Sequence, residues 1–597
     1  MLMKPTFKDK RKAAMILQAF LIYIWLTVLS VLSVTDTYYS VYLLCGALGL
    51  LCLYDNYKNN RSCDSTKQWI LWLFAGWFSL AVVLSNFALF EPLTVLQNLF
   101  DVVCCFAGGL CVGNSVLLYL LERLPFAVTK TNGKHAGWVF LTVFGSIAAI
   151  DLLYLFFAVY PGILTTDSVT TIAQALGDAD YNNTMPFWHT VTVEPFVKLG
   201  LAVFGNMNAA VACFHVVQIM FMAGCMTFVI MTLYQISVPW WFLAAVYGIY
   251  AFQPHNIVYS VTLWKDIPFA GATALFITSL YRLLRGVGKS KTGNYVVFIL
   301  GALGFSLWRT NGWYAFLVTV MVMFLLLRKK NKRLLMLMTA VLVFCWVLIN
   351  PVLSLLGVGE TNLVEAFAVP MQQVARVITE GRELTAEENY LLQEIFLLDK
   401  VPGLYDPLTV DPIKFETFRY DQVGYIVDNA GEYLHLYLSL GLKYPGDYLK
   451  AWIEETKGYW NGGYFFWIYT LQMGSNPYGI ETVVSENIIG KLFAAAFRYL
   501  EKPAFLQPLT SIGLHVWALV ACTLVNVMKK KEEFLLSIPL LVLVAGLWIG
   551  TPVYSEFRYA YPILITMPLI LAVTVFAAGD EETFGENADF QSAQNHV

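Results

Sequence analysis

The chain has 597 residues, of which 58% are hydrophobic and 13% charged, with a mean hydropathy of +0.62. That composition excludes an array of soluble domains and describes a polytopic membrane protein with most of its mass in lipid. The formal charge of -3, with basic residues gathered into short loops, excludes a nucleic-acid-binding face.

A span needs roughly 20 mostly apolar residues, and about fourteen segments approach that length. In chain order they are expected near 14–34, 38–54, 68–88, 100–121, 136–159, 208–234, 238–254, 264–283, 293–308, 311–327, 334–353, 511–528, 534–551 and 558–577. The first run is long enough to span and lacks a small-residue cleavage site, so it reads as a retained helix, not a signal peptide. Five regions follow. They are an N-terminal four-helix block (1–135), a membrane core (136–353), a cap region (354–510), three C-terminal helices (511–578) and an acidic tail (579–597) expected to be disordered.

Loop charges set the expected sidedness. Lys4, Lys8, Lys10, Arg11 and Lys12 precede the first span, and Lys58, Arg61 and Lys67 follow the second. Further clusters are Arg123, Lys130 and Lys134; Arg282, Arg285, Lys289 and Lys291; the run Arg328 to Arg333; and Lys529, Lys530 and Lys531. All fall on one side if the count holds, which by the positive-inside rule puts both termini in the cytoplasm of a cell-membrane protein. The long segments 160–207 and 354–510 then face outward. In the second, the amphipathic stretches MQQVARVI and EENYLLQEIF alternate with Pro/Gly turns and the aromatic run YWNGGYFFWIY, which predicts a mainly helical cap. The ten cysteines lie almost wholly in apolar segments and show neither a disulfide framework nor metal-ligand spacing.

Segment 160–207 opens on YPGILTTDSVTTIAQAL. Asp167 lies on its expected first helical turn, with Gln174 seven residues on and so on the same face. An Asp in a first turn can simply cap the helix. Asp178 and Asp180 read as a solvated turn, and His189, in PFWHTVTVEP with Glu194, as a structural histidine. Three outward junctions carry charges hard against a span: Lys265 and Asp266 in LWKDIPF, Arg309 in LWRTNGWY, and Glu556 and Arg558 in YSEFRYAYP. Such cations can snorkel, yet they sit on the side whose short loops otherwise lack Lys and Arg. Together they outline an anion site between helices. Asp151, inside the fifth span, is a candidate for polar pairing in the bundle.

The order of these motifs resembles the GT-C superfamily of membrane glycosyltransferases. An early Asp on an outer-loop helix is followed by P-x-x-H-T, K-D at a helix start, R-T-N-G, and R-Y-x-x-P opening the last helix; VPMQQVAR (Val369 to Arg376) and VDPIK (Val410 to Lys414) add to it. The resemblance covers roughly 136–577 and makes the first four spans an addition to the usual core. It implies an all-α, GT-C-like bundle that moves a sugar from a polyprenyl-phosphate carrier to an extracytoplasmic glycan, lipid or protein acceptor of the cell envelope. It implies Asp167 as catalytic base, with Glu194, Gln174, His189 or Asp180 as acceptor-positioning group or second acid. Lys265, Arg309 and Arg558 would bind the donor phosphate, with no obligatory cofactor or metal. The adjacent Asp-Glu pair typical of protein mannosyltransferases is missing. A transporter or flippase for lipid-linked precursors, and a non-catalytic envelope assembly or sensor protein, are the competing readings.

Overall fold

The computed structural model describes residues 7–32, 39–86, 94–127, 136–288, 290–359, 363–464, 475–501 and 505–577. The acidic tail, part of the YWNGGYFFWIY run, and Lys4, Lys130, Lys134 and Lys289 lie outside the described residues.

Among the described residues, ten helices are long and apolar enough to cross a membrane. They are Asp9–Ser30, Ser65–Ser85, Val95–Arg123, Ala136–Phe157, Met207–Gln235, Asp266–Arg285, Thr310–Leu327, Lys332–Leu355, Glu532–Gly550 and Phe557–Val575. The chain is thus helical and polytopic, with ten such helices where about fourteen spans were expected. The other four segments are also helical. Trp240–Phe252 and Ile512–Met528 are apolar but shorter, Lys291–Leu307 has 17 residues, and Tyr39–Lys58 ends in the polar DNYK. One parallel pair of two-residue strands, Phe126–Ala127 against Phe576–Ala577, ties the end of the N-terminal block to the end of the last helix.

Lipid offers little hydrophobic drive for helix association, so close packing does the work. Phe269 and Phe276 from Asp266–Arg285 interleave with Phe298 and Phe305 of the next helix, with ring centroids 5.3 to 5.5 Å apart. Gly301 lets these two helices touch: a Cβ there would lie 2.5 Å from the Phe276 backbone nitrogen. The N-terminal block has its own core around Trp25, Tyr42, Phe78 and Cys105. The cap region has another, built from Met371, Val377, Leu392, Phe396, Ile413 and Leu440 on its short helices.

The two ends of the bundle differ in chemistry. At one end Arg285 grips Glu533 with two hydrogen bonds of 2.8 and 2.7 Å, and Lys330 meets Glu532 at 2.6 Å. Helices Asp266–Arg285 and Thr310–Leu327 each start at the other end. There the irregular segments 158–165, 261–265 and 551–556 meet the cap.

Candidate functional site

Asp167 is placed by hydrogen bonds that hold an unwound stretch of chain, because backbone that is not helical must find partners inside a membrane protein. Helix Pro254–Ser260 ends at Ser260, and Val261 to Lys265 run irregularly before the next helix begins at Asp266. Ile163 bridges to Thr262, and the Gln218 amide donates to the carbonyls of Tyr259, Ser260 and Thr262. The helix Thr166–Leu176 starts beside this stretch. Ser168 Oγ accepts from the Thr165 amide (2.8 Å) and donates to the Leu263 carbonyl (2.7 Å), while Trp264 Nε1 donates to Thr165 Oγ1 (2.7 Å). Ser168 thus does the capping that a first-turn Asp would otherwise do, and the Asp167 carboxylate turns elsewhere.

It turns to Arg558. Arg558 Nη1 lies 3.4 Å from Asp167 Oδ2, its Nε is 3.9 Å from Glu556 Oε1, and its guanidinium stacks 4.6 Å over the Trp264 ring. Arg309 Nη1 reaches Asp266 Oδ1 at 2.5 Å. Arg309 and Arg558 share the Tyr559 ring, at 4.8 and 5.0 Å from its centroid. Lys265 is half-buried and donates to the Thr184 carbonyl at 3.0 Å. Burial pushes its pKa down, while the charges of Asp167 and Asp266 oppose the fall. Asp167, Lys265, Arg309 and Arg558, which lie up to 391 residues apart, therefore form one cluster.

The cluster differs from the expected anion site in its charge. Two of the three cations already face carboxylates: Arg558 meets Asp167 and Glu556, and Arg309 meets Asp266. A phosphate entering here must displace or share an existing pair. Burial, partly opposed by Arg558, raises the Glu556 pKa and weakens its claim on that cation.

The other expected residues go to other tasks. Glu194 pairs with Lys198 at 2.6 Å and accepts from Tyr181 OH at 3.1 Å. Gln174 is buried, donates to the Asp180 carbonyl and accepts from Thr190. Asp180 is exposed, as is Asp178, which accepts from Tyr478 OH. His189 is buried with neither ring nitrogen hydrogen-bonded among the described residues. Burial, then the Lys265 charge, lowers its pKa to about 3, so it is neutral near pH 7. Besides Asp167, the acids that face the two arginines are Glu556 and Asp266, each carried in the same motif as one of the cations. Asp151 is buried in the bundle beside Ser260. Among the described residues no group of three or more His, Cys, Asp or Glu is arranged to hold a metal.

The cap supplies what sequence reasoning missed. Val410 N and Thr409 Oγ1 donate to the Pro552 carbonyl, Tyr554 N donates to Leu408, Gly458 N donates to Tyr554, and Tyr459 OH donates to Val553. Asp411, in the VDPIK motif, lies within range of the charges of Lys414, Glu365, Arg558 and Asp167. Glu455 is fully buried, with neither oxygen hydrogen-bonded among the described residues. Burial, then Asp411, pushes its pKa up to about 9 from an ordinary 4.5. The folded chain thus keeps a proton between those pH values that the unfolded chain has lost, so this group's contribution to stability falls as pH rises from 4.5 to 9. Glu455→Gln carries no such proton. It is expected to raise the melting temperature at pH 8 and leave it unchanged at pH 4, as scanning calorimetry of the purified protein will show.

No curated protein and no solved structure matches the chain. A family model, described as a family of unknown function (DUF6020), matches residues 177–588. That span covers more than half of the chain and includes Lys265, Arg309, Glu556 and Arg558, while Asp167 precedes it. The chain belongs to the DUF6020 family.

Proposed function

We propose that the protein is an integral-membrane glycosyltransferase that moves a sugar from a polyprenyl-phosphate carrier to an acceptor hydroxyl outside the cytoplasm. The observation that carries this reading is the Asp167–Arg558 pair at 3.4 Å, set over Trp264 and next to Arg309 and Lys265. It joins a carboxylate suited to take a proton and cations suited to hold a phosphate.

The chemistry follows from that pairing. The donor phosphate engages Arg558 and Arg309, and Arg558 loosens its hold on Asp167. Asp167 then takes the proton of the acceptor hydroxyl as that oxygen bonds to the anomeric carbon. The bond from that carbon to the phosphate oxygen breaks, and its electron pair leaves with the carrier phosphate. Preorganised cations in a water-poor site stabilise that developing charge more than water would.

The direct test is purified protein in bilayer discs, supplied with a polyprenyl-phosphate hexose and envelope-derived acceptors, with release of the lipid phosphate as the readout. No release with any hexose or acceptor tested overturns the reading. Arg558→Ala is expected to weaken donor binding by about 10- to 100-fold, the range for a charge-assisted hydrogen bond, and to change acceptor binding far less. Equal loss for both ligands removes Arg558 from the phosphate site.

Paired charges beside the unwound stretch 261–265 also fit a transporter or flippase for lipid-linked precursors, in which broken helices and charge pairs form the substrate path. Movement of labelled carrier across the bilayer with no sugar transferred supports that second reading.

A further inference from the structure

The helices Thr310–Leu327 and Lys332–Val347 form a hairpin closed by the basic run Arg328 to Arg333. Between them lies a groove of about 890 Å³, lined by Phe324 and Arg328 from one helix and its end, and by Lys332, Met336, Ala340 and Phe344 among others from the second. The wall is apolar and open. Phe324 (53%), Met336 (65%) and Phe344 (52%) are all more than half exposed, so lipid chains complete the groove where protein does not.

The polar end of the groove is one-sided. Its only two charged lining residues are Arg328 and Lys332, both exposed. Among the described residues neither is in an ion pair, although the neighbouring Lys330 is paired with Glu532. Two cations beside an apolar trench complement a phosphate attached to hydrocarbon, and Arg can bind that phosphate through two parallel hydrogen bonds. The length is informative too. From Lys332 to Val347 the helix rises by about 22 Å, and one leaflet with its headgroups is about 20 to 22 Å deep. The groove therefore runs from a headgroup to the bilayer midplane, the reach of a phospholipid and not of a carrier lipid several times longer.

We infer that this groove is a binding site for one anionic phospholipid of the adjoining leaflet, with its phosphate held by Arg328 and Lys332 and an acyl chain along Met336, Ala340 and Phe344. The site lies at the opposite end of helix Thr310–Leu327 from Arg309, so it is separate from the Asp167 cluster and independent of the proposed chemistry.

The test is native mass spectrometry of the full chain released from bilayer discs containing equal amounts of phosphatidylglycerol and phosphatidylcholine. A basic residue near an anionic lipid surface is worth about fivefold in affinity, so wild-type protein is expected to retain phosphatidylglycerol in more than tenfold excess. The Arg328→Ala, Lys332→Ala double variant is expected to fall to about a twofold preference, and Ala340→Trp, which fills the exposed trench, to lose retained phospholipid of both kinds. Equal retention of the two lipids by wild-type protein overturns the site, as does an undiminished preference in the double variant. Full retention by Ala340→Trp overturns the placement of the chain, and displacement of the phospholipid by equimolar polyprenyl phosphate overturns the choice of ligand. The three side chains are exposed, and unchanged gel-filtration profiles will separate loss of lipid from loss of fold.

Discussion

Asp167→Asn is expected to lower sugar transfer by about 10²- to 10⁴-fold, the usual worth of a positioned general base, with donor binding retained. The substitution keeps the size of the side chain and removes its ability to take a proton. Because Ser168 supplies the cap of helix Thr166–Leu176, the helix start does not depend on Asp167, and the melting temperature is expected to shift little. Asn also loses the charge that faces Arg558 at 3.4 Å, which frees the guanidinium for the donor phosphate. Donor affinity is therefore expected to hold or rise while turnover collapses. Full turnover in the variant sinks the base assignment. Collapse of turnover and donor affinity together would instead mark Asp167 as a residue that only positions Arg558.

Asp266→Ala is expected to destabilise the protein by about 3 to 5 kcal/mol, because removing one member of a buried ion pair leaves the other charge uncompensated. Asp266 is buried, and Arg309, 15% exposed at its side chain, approaches it to 2.5 Å. Neither Asp266 oxygen lines up for a hydrogen bond among the described residues, so the pair is held by charge and not by alignment. The acid also opens helix Asp266–Arg285, where a negative group complements the helix dipole. Thermal unfolding in detergent checks the size of the effect. The double variant Asp266→Ala, Arg309→Leu is expected to recover part of the loss, since it removes the stranded cation as well. A single variant that melts with the wild type would show that the contact contributes nothing to the fold.

Much of the site was readable from local motifs. Asp167 followed a Pro-Gly break, and Lys265, Arg309 and Arg558 each stood at the edge of an apolar run on the side that otherwise avoids cations. Their meeting required only that the junctions share one end of the bundle. Their pairing was not readable. Asp266 precedes Arg309 by 43 residues and Asp167 precedes Arg558 by 391, and nothing in either motif says which acid faces which guanidinium. The partners of Glu194, Gln174 and His189 were not readable for a related reason. Periodicity places a residue on a helix face, but the Lys198 and Tyr181 partners of Glu194 and the enclosed setting of His189 depend on how that face packs. In the fold, hydropathy located the apolar helical segments, yet it could not separate full-length helices from shorter ones such as Trp240–Phe252, which has 13 residues. Glu455 lay in a region whose composition showed only that it was helical, and Asp411 in the VDPIK motif, which by itself gives the acid no role.

The cap grips segment 551–556 through Pro552, Val553 and Tyr554. It leads straight into the turn that bears Arg558. The height and heading of that guanidinium are therefore inherited from the cap and not from the membrane helices alone. Loss of those cap hydrogen bonds would leave the approach to Arg558 held only by the helix that follows it.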